Sequence, residues 1–269
     1  MIVYPNAKIN LGLNVVERRA DGFHNIETIF FPIALKDALE IVVAPDRKFS
    51  FTTSGLSIPG NPENNLCVKA WKLLSEEYHL PPVKIHLHKV IPMGSGLGGG
   101  SSDGAFTIRL LDSLFSLNLP SETMKARAAQ LGSDCPFFIG NTPVYAYGKG
   151  DEFVSVDLRF PDLKVMVAVP GIHVNTAAAY GMIRPEKPAR NVMDLVSKPL
   201  HEWKDLLKND FEKPVFREYP RINEIKTTFY EKGAVYASMS GSGAAVFGFF
   251  PSVVPTEASL RDCFIWKER

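Results

Sequence analysis

PMGSGLGGGSSDGA, Pro92 to Ala105, holds six glycines in fourteen residues, then two adjacent serines, and then gives way to a helical pattern. Glycines let backbone N–H groups approach an anion without a Cβ in the way. The helix that follows starts near Ser101 and Ser102, and a helix N-terminus carries unpaired N–H groups and a partial positive charge. The combination points to a phosphate cradle. The plainer alternative, a glycine turn packed against another backbone, would suffice for two glycines but not for five in seven residues. GSGLGG, Gly94 to Gly99, also matches GxGxxG. A dinucleotide fold would place that fingerprint after its first strand, with an acid about 20 residues on at the end of a second strand. Here the loop begins at residue 94, and Asp112 falls inside the following helix. A Walker A loop would end in GK[ST], and this loop has no lysine. A protein kinase would follow its glycine loop with VAIK and HRD, and neither occurs.

Outward from the loop, Val83, Ile85 and Leu87 alternate with Lys84, His86 and His88, a strand running into it. Leu66 to Tyr78 has helical spacing, as do Phe106, Leu110, Leu111, Leu114 and Phe115 after the loop. Ser121 is expected to cap a short helix through Leu131. At the N-terminus, Ile9, Leu11, Leu13 and Val15 alternate with Lys8, Asn10, Gly12 and Asn14, which predicts a half-buried strand. Residues 26–33, 39–43 and 49–53 read as further strands, and 144–147 with 153–156 as a hairpin around GKGD. Lys164–Val169 reads as a buried strand, with helical stretches from there to about Glu231. Val235–Met239 and Ala244–Phe250 read as strands around a second glycine stretch, SGSG. Arg184–Lys198, rich in proline and charge, reads as a loop. Strands precede the first helix and the order is mixed, so the expected class is α+β with largely antiparallel pairing. A composition shift near Asp157–Pro161 places the expected domain boundary.

The chain has 269 residues, 45% of them hydrophobic, long enough for two modest domains. Its net charge of +1 and scattered lysines and arginines argue against nucleic acid or an acidic membrane surface as partner. Cys67, Cys135 and Cys263 form no CxxC pair and lie in apolar neighbourhoods, as expected of reduced thiols in a cytoplasmic protein. No signal peptide is read at the start, and no apolar run approaches a membrane span.

Three groups could carry chemistry. Asp134, in GSDCPFF, stands in a loop beside Cys135, Phe137 and Phe138, as a proton-accepting carboxylate or a turn-capping one. Lys8 is a cation on a rigid strand or an ordinary surface lysine. His24, in DGFH, is a ligand-binding ring or the start of a strand. The six histidines show no HExxH and no Cys/His cluster, and His86 with His88 reads as a solvated strand face. MSGSGAAVFG, from Met239, is by default a hairpin turn, and becomes part of a site only if it lies near the first loop.

PMGSGLGGGSSDGA resembles the central motif of the GHMP kinases, small-molecule kinases whose phosphate loop lacks the Walker lysine. MSGSGAAVFG resembles their C-terminal motif. AKINLGLNV (Ala7–Val15), DGFH and GSDCPFF together resemble the branch of that family that phosphorylates a CDP-linked methylerythritol on the non-mevalonate route to isoprenoid precursors. The resemblance runs from about residue 5 to 250. It implies a two-domain GHMP fold, a ribosomal-protein-like domain over 1–156 and a ferredoxin-like one over 157–269, using ATP and Mg²⁺. It implies that Asp134 takes the proton from the substrate hydroxyl and that Lys8 activates that hydroxyl. Asn10, Phe23 and His24 would bind substrate, His24 at the cytosine, with Tyr180 stacking on the base. Pro92, Gly94, Gly96, Leu97, Gly98, Gly99, Gly100, Ser101 and Ser102 would hold the ATP phosphates, and Asn65, Leu66 and Lys89 the adenosine. No metal-ligating glutamate is identified, and Ser101 or Ser102 is a candidate ligand. The rivals are a GHMP kinase for homoserine, mevalonate or a sugar, against which DGFH and the AKINLGL strand argue, and a non-catalytic nucleotide-binding protein, against which Lys8 and Asp134 argue.

Overall fold

A computed structural model describes residues 1–251 and 258–268. In chain order the elements are β1 (Ile2–Val3), β2 (Asn6–Arg18), β3 (His24–Lys36), β4 (Ala38–Val43), β5 (Ser50–Gly55), α1 (Leu66–Tyr78), β6 (Val83–Lys89), α2 (Gly99–Phe115), α3 (Ser121–Leu131), α4 (Cys135–Gly140), β7 (Val144–Tyr147), β8 (Glu152–Ser155), β9 (Lys164–Pro170), α5 (Thr176–Gly181), α6 (Val192–Val196), α7 (Trp203–Leu206), α8 (Glu212–Glu218), α9 (Pro220–Glu231), β10 (Tyr236–Met239), β11 (Val246–Phe250) and β12 (Cys263–Lys267). They form two compact units, each assembled from separated segments.

The first unit comprises Met1–Ala7, Ala34–Met93 and Gly98–Thr142. Its sheet runs β1-β4-β6-β5, with β4 antiparallel and β5 parallel to β6. Val83, Ile85 and Leu87 of β6 are buried, as their alternation requires. Helix α1 begins at Asn65, whose side-chain oxygen accepts the Cys67 N–H at 2.9 Å. That satisfies one of the N–H groups a helix start leaves unpaired. Helix α2 buries Ala105, Phe106, Ile108, Leu110 and Leu111. Helix α3 starts differently from expectation: Pro120 occupies the cap position, Ser121 is the first helical residue, and no side chain caps it.

The second unit comprises Lys8–Ile33, Gly94–Leu97 and Pro143–Arg269. It holds two sheets, β2-β3-β7-β8 and β10-β11-β9-β12. Residues Val165 to Val169 of β9 are all buried, which explains their unbroken apolar run. A core of Leu13, Val15, Met166, Ala168, Phe211, Ile225, Phe229 and Val246 joins strands to helices α8 and α9. Strand β2 departs from expectation. It is buried on both faces over residues 6–13, with Lys8 and Asn10 only 3% and 2% exposed. Its polar residues satisfy one another instead of water. Lys8 Nζ donates to Asn10 Oδ1 at 2.6 Å, Asn10 Nδ2 to Thr28 Oγ1 at 3.1 Å, and Asn14 Nδ2 to Glu27 Oε1 at 2.7 Å. The segment Arg184–Lys198, read as a loop, contains the short helix α6. The tail after Phe250, which carries no motif, supplies β12, antiparallel to β9. No helix among the described residues is long and apolar enough to cross a membrane.

Candidate active site

The glycine loop divides between the units, with Gly94–Leu97 in the second and Gly98 onward in the first. In the second unit the two glycine stretches meet. Ser240 Oγ donates to the Gly96 carbonyl at 2.9 Å, and the Ala245 N–H donates to the Ser95 carbonyl at 3.0 Å. The Leu97 carbonyl accepts the Lys8 N–H at 2.9 Å, which fastens the loop to β2. Gly96 has φ +82°, and a Cβ there would collide with the Ser240 carbonyl oxygen. SGSG is therefore more than a hairpin turn: its backbone forms one wall of the first loop. Asn209, buried and 3% exposed, holds that wall by donating to the carbonyls of Met239 and Gly241 at 2.8 and 2.9 Å. No motif singled out Asn209. Its only local signature is a turn-forming side chain that accepts the Phe211 N–H at 2.9 Å.

In the first unit, Gly98 (φ 69°) precedes α2 with no side-chain cap. The N–H groups of the helix's first turn thus have no intrahelical carbonyl to meet. The Ser102 hydroxyl is buried there without a hydrogen-bond partner among the described residues. Ser101 contacts Cys135, whose thiol is pushed up to about 12, chiefly by burial. Asp134 stands immediately before α4, half-buried, with Pro136, Phe137 and Phe138 anchoring the turn behind it. A cavity of about 430 Å³ gathers Asn65, Leu66, Met93, Gly100 and Asp103. Lys89 is 1% exposed, and its ammonium bonds to Asp37 and Asp103. Pro92 is half-buried and Gly94 exposed at the entry to the loop.

Elsewhere in the second unit, His24 and Tyr180 stack, with ring centroids 4.8 Å apart and planes 18° apart. Tyr180 is buttressed edge-on by Phe211 at 4.9 Å. Burial, reinforced by the charge of Arg18, lowers the His24 pKa, so the ring is neutral at pH 7 and offers one donor and one acceptor. Phe23 is 61% exposed, and Lys149 Nζ lies 5.5 Å from its ring centroid. Lys149, in the GKGD turn, carries no sequence signal of its own. Lys8 Nζ lies 4.7 Å from the Phe30 centroid.

The chain matches the model of the GHMP kinases N terminal domain over residues 65–148 and that of the GHMP kinases C terminal domain over 190–259. A protein of Bacteroides thetaiotaomicron named 4-diphosphocytidyl-2-C-methyl-D-erythritol kinase is 50% identical over 252 residues, 93% of this chain and 92% of its own length. One of the same name from Parabacteroides distasonis is 48% identical over 269 residues, 99% of this chain and 98% of its own. The crystal structure of a 4-(cytidine 5'-diphospho)-2C-methyl-D-erythritol kinase superposes with a TM-score of 0.79 at 32% identity, covering 92% of this chain and 89% of that one. A mevalonate kinase structure superposes at 0.70 with 14% identity, a likeness of fold.

Proposed function

This chain belongs to the GHMP kinases, in the 4-diphosphocytidyl-2-C-methyl-D-erythritol kinase family, and from that premise we propose how its own residues divide the work. It is an ATP-dependent small-molecule kinase. It phosphorylates the 2-hydroxyl of 4-diphosphocytidyl-2-C-methyl-D-erythritol, giving the 2-phosphate and ADP, on the non-mevalonate route to isoprenoid precursors. The observation that carries the reading at the level of residues is the meeting of the two glycine stretches at Gly96 and Ser240. It makes a backbone cradle where side chains are excluded.

Phosphoryl transfer asks a protein mainly for positioning and charge neutralisation. Backbone N–H groups between Gly94 and Ser102 hold the ATP phosphates, and the cavity at Asn65 and Leu66 takes the adenosine. Asp134 accepts the proton of the substrate hydroxyl. Lys8, kept in place by Asn10 and Phe30, steadies the charge on that hydroxyl oxygen. Tyr180 supplies a stacking face and His24 a hydrogen-bonding edge for the cytosine. Phe23 flanks them.

Among the described residues no group of three or more His, Cys, Asp or Glu could hold a metal ion. Magnesium commonly binds through substrate phosphates with few protein ligands. The partnerless Ser102 hydroxyl at the start of α2 fits that pattern and would be the protein's donor. The bound ion would neutralise charge on the β- and γ-phosphates. The three unpaired cysteines suit the reducing cytoplasm, where we place the reaction.

Phosphorus NMR with ATP, Mg²⁺ and the cytidyl substrate tests the reading, with homoserine, mevalonate and galactose as controls. A new monophosphate resonance on the cytidyl substrate alone is expected. Turnover of a control instead would move the chain to another branch, and ATP binding without turnover would make it a non-catalytic member. In the same assay His24→Ala should raise KM for the cytidyl substrate about tenfold or more, through loss of a stacked, hydrogen-bonding ring, and leave KM for ATP unchanged. An equal rise in both would take His24 out of base recognition.

A further inference from the structure

The resemblance places Lys89 near the adenosine, but its two acids, Asp37 and Asp103, have no role in the chemistry described so far. Lys89 ends β6 just before the glycine loop, and its side chain is fully buried. Its Nζ donates to Asp37 Oδ2 at 2.5 Å and to Asp103 Oδ2 at 2.8 Å. Asp37, 1% exposed, connects β3 to β4, and its Oδ1 accepts the N–H of both Val90 (2.6 Å) and Ile91 (2.8 Å). Asp103 belongs to the first turns of α2, on the far side of the loop. One carboxylate therefore grips the backbone entering the loop, one ammonium bridges to the helix leaving it, and all of these residues lie in the first unit.

We propose that Asp37 and Lys89 are positioning residues for ATP, a buried clamp that holds the two ends of the phosphate loop at the spacing the nucleotide requires, with Asp103 as its anchor on the helix side. The inference rests on the ATP-dependent reading above. A buried ion pair is a weak stabiliser on balance, since desolvation offsets much of the attraction. Positional definition is the property such a network can supply.

The charges decide how the clamp behaves. Burial acts against the Lys89 ammonium, but Asp103 and Asp37 outweigh it and raise its pKa. Burial raises the Asp103 carboxyl to about 8; the Asp37 charge adds to this and Lys89 opposes it. Cys67, facing the cluster from α1, has its thiol held protonated by burial and by Asp103. Thr107 bonds to the Asp103 carbonyl.

The test is titration of wild type, Asp37→Asn and Asp103→Asn with the Mg²⁺ complex of β,γ-imido-ATP at pH 7 by calorimetry, with steady-state kinetics alongside. In Asp37→Asn the amide oxygen can still accept from Val90 and Ile91, but Lys89 loses one of its two charged partners, the one that ties it to the backbone entering the loop. Its dissociation constant for the analogue should rise about tenfold and KM for ATP with it, while KM for the cytidyl substrate stays put. Asp103→Asn, which loosens the tie to α2, should weaken analogue binding about fivefold, again without moving KM for the cytidyl substrate. A melting point lowered in either variant with no change in analogue affinity would reduce the triad to scaffolding. If Asp37→Asn does not fold, the analogue affinity of Asp103→Asn decides. A wild type that binds no analogue at all would remove the ATP reading, and this inference with it.

Discussion

Replacing Asp134 by asparagine is expected to lower turnover by about 10²–10⁴-fold while the affinity for ATP changes little. Asparagine has the shape of aspartate and can still accept a hydrogen bond, but it cannot take a proton at neutral pH. The residue is set at the start of α4, in a turn whose next residues, Cys135 to Phe138, are all buried. The substitution therefore leaves the backbone anchored and removes the carboxylate's charge and its capacity to take a proton. Ser133 Oγ, 3.3 Å from Asp134 Oδ1, can bond equally to the amide oxygen. Single-turnover phosphorylation of the cytidyl substrate measures the chemical step, and titration with β,γ-imido-ATP measures binding. A loss of less than tenfold in the chemical step would mean that the hydroxyl proton leaves by another route, and that Asp134 only orients substrate. A loss of ATP affinity equal to the loss in rate would mean that the turn had collapsed.

Gly96→Ala should weaken ATP binding by about 10²-fold without any change in charge or hydrogen-bonding groups. Two costs combine. The residue sits at φ +82°, where an L-residue pays roughly 1–2 kcal/mol. Its new Cβ would also meet the Ser240 carbonyl oxygen, part of the wall made by the second glycine stretch, and overpacking of this kind typically costs about 1–3 kcal/mol. A flexible side chain could swing away, but a backbone carbonyl cannot. Ser240 is moreover tied to Gly96 by its own hydroxyl, and the carbonyls flanking it, of Met239 and Gly241, are held by Asn209. The loop must therefore shift, and with it the N–H groups proposed to meet the phosphates. Gly233→Ala is the control, since its φ of +89° carries the same backbone cost and nothing lies within 4 Å of a Cβ built there. Equal effects of the two substitutions on ATP binding would mean that the contact with Ser240 does not matter.

The sequence by itself determined the elements whose signal is local. The span of α1, Leu66–Tyr78, follows from its apolar spacing, and the β7–β8 hairpin from alternation around GKGD. The glycine loop and the helix after it are legible because glycine density before a helix start is a property of consecutive residues. Resemblance of whole motifs then reached Lys8, Asp134 and His24, which no periodicity distinguishes from a surface lysine, a turn cap and a strand residue. What only the tertiary structure decided is every feature made by residues distant in the chain. Alternation in β2 shows which side chains share a face but not that a second layer covers the polar one, so Lys8 reads as solvent-facing and is in fact buried. The stack of His24 on Tyr180, the wall that Ser240 makes against Gly96, and the pairing of β12 with β9 all join separate segments. Lys89 shows the difference most sharply. Its place before the loop is visible in the sequence, whereas its partners Asp37 and Asp103 come from a strand connection and a helix whose own patterns give no sign of a charge within reach. Local chemistry specifies what each segment prefers to be. Burial and long-range hydrogen bonding specify which side chain meets which, because those contacts depend on the packing of segments that no local period encodes.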